Sequence, residues 1–261
     1  MKIKINSRAV YTKKKVRDFK LMVASDFHYT KKFKPETFDS LTQIVASERP
    51  DCLAIPGDLV EPSTDDYQQI YNFFKTSSLL TKVVVSLGDS DVIMKKDEKK
   101  VLCINKNFLN DIEKIENLKL FRDNYYDVYR IDDFVFYGYN PDHNWYINDN
   151  RESKLHEFEL MGHVIDLEVN KGNYNILLTH DSSPIMRNKE SYHRYVIDGI
   201  DLTISGNKYD GILPKTHFYE FEDAALIMSK GVTPNHNIKL LNQFSQPNVD
   251  IVKIKTLVKK K

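Results

Sequence analysis

Short apolar runs bounded by turn residues recur along the chain at 19–24, 52–55, 83–87, 134–139, 176–178 and 202–204. They are rich in β-branched and aromatic residues, and each predicts a buried β-strand. Between the first three the period changes to that of a helix. Phe38, Leu41, Ile44 and Val45 form one stripe after the start signal Pro35-Glu36, and Tyr67, Ile70, Tyr71 and Phe74 form a second after 63–66. Phe108, Leu109, Ile112 and Ile115 form a third. Strand, helix, strand, helix, strand is the alternation that gives parallel pairing with helices on the sheet faces. Later segments have more strands and hairpin-like breaks, including 126–131 against 134–139 across Asp132-Asp133, so the sheet is predicted to be mixed. The fold class is α/β. No repeat, low-complexity tract or Gly/Ser-rich linker breaks the pattern, and a chain of 261 residues suits one domain over 1–261. Residues 140–153 are polar, interspersed with His143, Trp145 and Tyr146, and carry no period; a long exposed loop is expected there.

Charge narrows the function classes. Lys and Arg number 38 against 37 Asp and Glu, a net charge of +1, which offers no broad electrostatic footprint for nucleic acid. The lysines at 259–261 read as a solvated terminus. Two cysteines, Cys52 and Cys103, make neither a disulfide framework nor a CxxC pair, and Cys52 sits in an apolar run as a small core residue. The first twenty residues carry charges throughout and lack the apolar stretch of a signal peptide, and no run approaches the roughly 20 apolar residues of a membrane span. A soluble cytoplasmic protein is expected. No Gly-rich phosphate loop is present, and no nucleophile elbow surrounds Ser182-Ser183.

Five polar clusters each follow an apolar run: Ser25 to His28, Gly57-Asp58, Gly88 to Asp91, Thr179-His180 and Ser205 to Gly211. Asp and His side chains converging at strand ends can assemble a metal site. Asp26 and His28 stand two apart, and in an extended chain both would point the same way. Asp58 follows a glycine that permits a sharp turn. Singly, an Asp after a strand is more often a turn or cap than a ligand; the order and strand-end placement of the whole set point to chemistry.

These residues resemble the motifs of the calcineurin-like metallophosphoesterases, and among them the small bacterial YkuE-type phosphoesterases. DxH is Asp26 and His28, GD is Gly57-Asp58, and the later single His is His180. The resemblance implies a four-layer αββα sandwich of mixed β-sheets with a centre of two divalent metal ions acting on a phosphoester substrate. It places Asp26, His28 and a bridging Asp58 on one metal, with Tyr209 where the family has a His. The second metal takes Asp58, His180, Asp89 in place of Asn and Asn207 in place of His. Ser90 occupies the position of the family's catalytic His.

Those departures have physical consequences. An ionised Asp89 for a neutral Asn weakens the pull on an anionic phosphate, and oxygen for imidazole shifts selectivity from Zn²⁺ toward Mn²⁺ or Mg²⁺, with Mn²⁺ preferred. A phenol with a reference pKa of about 10 makes Tyr209 a poor neutral ligand. His193, His217 and His236 are the imidazoles available as replacements. Ser90 cannot serve as a general acid at neutral pH, a role typically worth roughly 10² to 10⁴-fold, so reduced or specialised hydrolysis is expected. Lys208 could neutralise a phosphate oxygen. The expected function is metal-dependent hydrolysis of a phosphate mono- or diester; the alternative is a non-catalytic scaffold with an eroded site on the same fold.

Overall fold

The computed structural model describes residues 2–62, 64–96, 99–102, 106–122, 127–140, 169–182, 199–206, 217–220, 224–233 and 246–257. Two six-stranded sheets carry the architecture. The first runs in the order β1 (Lys4–Thr12), β14 (Asn248–Thr256), β2 (Phe19–Val23), β3 (Cys52–Pro56), β4 (Lys82–Ser86) and β7 (Leu118–Leu120). Within it β2, β3, β4 and β7 are parallel neighbours, while β14 runs antiparallel to β2 and parallel to β1. The second sheet follows the order β12 (His217–Glu220), β13 (Ala225–Met228), β11 (Leu202–Ser205), β10 (Tyr174–Thr179), β9 (Phe134–Tyr139) and β8 (Asp127–Ile131). Its four central strands are parallel and both edge strands antiparallel. Both sheets are therefore mixed.

The helices lie where the parallel crossovers put them. In α1 (Pro35–Glu48) the proline opens the first turn, where its missing N–H costs no hydrogen bond, and Phe38, Leu41 and Val45 bury one stripe. The helix stops at Arg49, whose backbone turns left-handed (φ 47°) and returns its N–H to the Val45 carbonyl. In α2 (Gln68–Leu80) the Asp66 carboxylate accepts the first N–H, that of Gln68, at 3.0 Å, and Ile70, Phe73 and Phe74 are buried. A single turn, α3 (Asp89–Val92), leads directly into a separate hairpin of β5 (Ile93–Lys96) and β6 (Lys99–Leu102), and α4 (Lys106–Glu113) follows.

Strand alternation divides the core in two. Met22, Leu53, Ile55, Val83 and Val85 face the helices, with Phe38, Leu41, Phe74 and Ile112 against them. Leu21, Val23, Cys52, Ala54 and Val84 face the second sheet and meet Phe134, Phe136, Ile176, Leu178 and Ile204. Phe19 stacks on Phe134 across this inter-sheet layer with ring centroids 4.0 Å apart. Val135, Leu177, Thr203 and Leu226, on the far face of the second sheet, are also buried; the helices expected over that face fall outside the described residues.

The predicted strands and helical stripes are all present, and Cys52 is fully buried with its thiol pushed well above its usual range by burial. The structure adds β1, β5, β6, β7, β12, β13 and β14, which the apolar runs did not announce. One expectation is corrected at its edge. Asn140, placed in the exposed loop 140–153, is buried at the end of β9, and its amide bonds backbone groups of the first sheet; 141–153 lie outside the described residues.

Candidate metal centre

Four chain segments leave the carboxyl ends of β2, β3, β4 and β10 and meet at one edge of the sandwich. They do not arrive as extended strands. Asp26 (φ 53°), His28 (φ 44°) and Asp58 (φ 54°) all have left-handed backbones, so the expectation that Asp26 and His28 share a direction by strand alternation is corrected. What aligns them is a ladder between loops. Asp26 N–H donates to the Gly57 carbonyl at 3.2 Å, and His28 N–H donates to the Asp58 carbonyl at 3.0 Å. Left-handed conformations at non-glycine residues cost energy of order 1 kcal/mol or more each, and such costs concentrate at functional sites.

Asp58 stands at the centre. Its Oδ2 lies 3.4 Å from His28 Nε2 and 3.3 Å from His180 Nε2, and its Oδ1 accepts the Ser90 N–H at 3.0 Å. Asp89, at the start of α3, brings Oδ1 to 3.4 Å from His180 Nε2. Asp26 is fully buried, and one donor atom from each of Asp26, Asp58 and His180 falls within 4.8 Å of the others.

The far nitrogen of each imidazole is engaged elsewhere. His180 Nδ1 is 2.7 Å from the carbonyl of Pro56; a carbonyl only accepts, so Nδ1 carries the hydrogen and Nε2 faces the carboxylates. His28 Nδ1 lies 2.9 Å from Glu61 Oε1, which orients that ring in the same sense. Metal-ligating histidines are held in this way by a carbonyl or carboxylate behind them.

Close backbone approach explains two glycines. A Cβ on Gly206 would sit 2.4 Å from His180 Nδ1, and one on Gly88 would sit 2.2 Å from Asp58 Oδ1. The glycines make room for the two side chains that converge there.

Electrostatics follow from burial and crowding. Burial opposes the charge on Asp58, but His180, His28 and the Ser90 N–H outweigh it and hold the carboxyl well below its ordinary range. Burial pushes Asp26 up to about 6, with Asp58 adding to the rise and His180 opposing it. Burial alone would discharge the histidines. Glu61, Asp58 and Asp26 instead raise His28 to about 9, and Asp58 and Asp89 raise His180 well above its usual value.

Residues 19–212 match the sequence model of a family described as calcineurin-like phosphoesterase, nearly three quarters of the chain. The chain belongs to that family. The match spans every strand end of the cluster, from β2 through β11. Among solved structures, a dimetal phosphatase from Danio rerio is similar at 11% identity and TM-score 0.49, over 82% of this chain and 87% of that one. The protein TT1561 of Thermus thermophilus is similar at 10% identity and TM-score 0.47, over 81% and 89%. GAP50, the anchor in the inner membrane complex of Plasmodium, is similar at 13% identity and TM-score 0.45, over 84% and 76%. Comparison with curated protein sequences gives no significant match.

Within this phosphoesterase-family chain, Asp26, His28, Asp58, Asp89 and His180 come together. Ser90 is adjacent, contributing a backbone N–H rather than a side chain to Asp58. Asn207, Lys208 and Tyr209 lie outside the described residues, as do His193 and His236; His217 opens β12. Three neighbours were not singled out from sequence. Glu61, three residues beyond Asp58, backs His28. Asp91, noted only as following a strand, accepts the N–H groups of Leu59, Val60 and Gly88 at 2.9, 3.0 and 2.8 Å, pinning the β3 loop to α3. Asn140 accepts the Leu87 N–H at 2.8 Å and donates to the Phe121 carbonyl at 2.6 Å, tying the second sheet to the turn before Gly88. The spacing from Asp58 was the only signal for Glu61; Asn140 offered none.

Proposed function

We propose that the protein is a metal-dependent phosphoric ester hydrolase that binds divalent ions, Mn²⁺ preferred, through Asp26, His28, Asp58, Asp89 and His180. The observation that carries this reading is the Asp58 carboxylate between two imidazoles, each with its far nitrogen already engaged, by Pro56 and Glu61. The donors fit such ions. Three carboxylates and two oriented imidazoles form an oxygen-rich set, which suits Mn²⁺ or Mg²⁺ better than Zn²⁺. Two ions are proposed, which Asp26, His28, Asp58, Asp89 and His180 would hold with Asn207 and Tyr209 completing the set.

A bound divalent pair supplies hydroxide at neutral pH and neutralises phosphoryl oxygens. The protein's own residues do the rest. Asp58, held ionised, offers negative charge to the ions, while Glu61 and the Pro56 carbonyl fix the imidazoles of His28 and His180. Lys208 is proposed to meet a phosphate oxygen. Ser90 presents a hydroxyl, which cannot deliver a proton to a leaving group as an imidazolium does. Hydrolysis is therefore proposed to be slow with poor leaving groups, on a mono- or diester.

The test is turnover of p-nitrophenyl phosphate and bis-p-nitrophenyl phosphate by Mn²⁺-loaded protein. Activity that the Asp58→Asn protein lacks supports the reading, and equal rates in the two proteins overturn it. Ser90 favours a second reading, a scaffold whose fold outlasts its catalysis. Protein purified without added metal and found by elemental analysis to hold none, together with a partner captured equally by Asp58→Asn protein, would select that reading.

A further inference from the structure

The candidate centre sits where β2, β3, β4 and β10 end. β14 runs antiparallel to β2 and β1 runs parallel to β14, so both finish at the opposite end of the sandwich, where β10 begins with Tyr174. The six residues of β10 span about 17 Å between Tyr174 and the end that leads into His180. A cavity of about 280 Å³, lined from both sheets, opens at this far end. Val10 and Ala225, both buried, supply apolar wall, and the exposed Tyr11 and Leu257 extend it outward. Tyr174 lines the cavity as well. Its ring packs in the inter-sheet layer 5.6 Å from that of Phe134 and the residue is only 1% exposed, yet its hydroxyl has no hydrogen-bond partner among the described residues. Buried tyrosine hydroxyls usually find one. A single water occupies about 30 Å³, so one trapped water does not account for the space.

The polar groups that remain open in the cavity are donors. Lys14 Nζ donates to the Asn173 carbonyl at 2.6 Å and to Asp201 Oδ2 at 2.7 Å, which leaves its third N–H without a partner among the described residues. The same Asp201 oxygen accepts the Asn175 N–H at 2.7 Å, so that carboxylate is already well served. Burial first, and Asp201 second, push the Tyr174 phenol above its ordinary range and keep it a donor. Lysines 13, 14 and 171 of the lining outnumber its two carboxylates, Asp201 and Glu220, by one positive charge. The loop that carries Lys14 is held in advance of any ligand: Thr256 Oγ1 donates to the Lys14 carbonyl at 2.9 Å and accepts the Val16 N–H at 3.1 Å.

We propose that this cavity binds a small organic monoanion, an apolar body carrying one carboxylate whose oxygens accept from the Tyr174 hydroxyl and the Lys14 ammonium. The apolar walls suit the body, and two donors with a single surplus positive charge suit a carboxylate better than a doubly charged phosphate. The site stands apart from the candidate metal centre and does not depend on the phosphoesterase reading.

Cinnamate is the probe and cinnamamide its uncharged counterpart, each titrated by calorimetry into metal-free protein, Mn²⁺-loaded protein and the Asp58→Asn protein. Cinnamate is expected to bind at one site with the same affinity in all three, and cinnamamide at least about tenfold more weakly, as loss of a hydrogen bond to a charged group implies. Tyr174→Phe, which removes only the hydroxyl, and Lys14→Gln should each weaken cinnamate binding about tenfold. If Lys14→Gln does not fold, Tyr174→Phe carries the test. A hydroxyl with no partner in the unliganded protein adds nothing to its stability, so the urea midpoint of Tyr174→Phe should equal or exceed that of wild type. No binding of cinnamate by wild type at concentrations on the order of 10 mM overturns the proposal. So does binding that requires Mn²⁺ or Asp58, equal affinity for cinnamamide, or full affinity in Tyr174→Phe. A lowered urea midpoint in Tyr174→Phe would also overturn it, by showing that the hydroxyl serves the fold.

Discussion

Three left-handed residues, Asp26, His28 and Asp58, gather titratable groups at one site, where protons and cations compete for the same space. His28 is raised to about 9 from the ordinary 6.5, burial resisting and Glu61, Asp58 and Asp26 prevailing. A histidine whose folded pKa is raised contributes stability that is fully present below its unfolded value, near 6.5, and is lost as pH rises through the folded value. The melting temperature of metal-stripped protein should thus fall between pH 6.5 and about 9. A cation that takes Nε2 must displace that proton, so Mn²⁺ binding at pH 7 should release protons and tighten as pH approaches 9. Calorimetric titration in two buffers of different ionisation enthalpy reads the release directly; identical apparent enthalpies would contradict it. A second residue-scale expectation concerns Gly206. A Cβ there meets His180 Nδ1 at 2.4 Å and the Pro56 carbonyl at 2.9 Å, so Gly206→Ala should displace the imidazole and weaken Mn²⁺ binding at least tenfold while the far-ultraviolet dichroism stays that of wild type.

At the scale of elements, the site is held by loops that bond one another rather than by any one strand. Asp91 shows how. Its two oxygens collect three N–H groups, two from the loop after β3 and one from the turn that begins α3. Burial and the nearby Asp58 push its carboxyl up to about 7, against the backbone donors that favour its ionised form. In Asp91→Asn the amide oxygen can serve one side of that clamp, but its NH₂ must face an N–H on the other. The variant should lose about 1–3 kcal/mol, the usual cost of leaving a buried donor unsatisfied, measurable as a lowered urea midpoint. A midpoint equal to wild type would show that the clamp carries no stability. Sequence indicated that Asp91 sits after a strand, yet its function as a clamp depends on Leu59 and Val60, about thirty residues earlier, and so was not legible locally.

Across the whole molecule, the two sheets are joined at the site by side chains as well as by the apolar layer. His180 reaches from the second sheet to Pro56 of the first, and Asn140 reaches from β9 to Leu87 and Phe121. Asn140→Ala would leave a buried N–H and a buried carbonyl without the amide that now satisfies them, and about 1–3 kcal/mol should be lost. Denaturant unfolding should then show a lower midpoint with an unchanged slope; a wild-type midpoint would contradict the expectation. Periodicity alone determined β2, β3, β4, β9, β10 and β11, the helical stripes and the mixed α/β class, because burial on one or both faces writes itself into residue order at spacings of 2 and 3.6. Motif order likewise marked Asp26, His28, Asp58, Asp89 and His180. Sequence did not announce β1, whose exposed edge position mixes polar residues into the run, nor β12 and β13. Only the tertiary structure decided the left-handed backbones, the backing of His28 by Glu61, the Asp91 clamp and the inter-sheet role of Asn140. Each depends on partners brought together by the packing of separate loops and sheets, and a contact of that kind leaves no period in the chain.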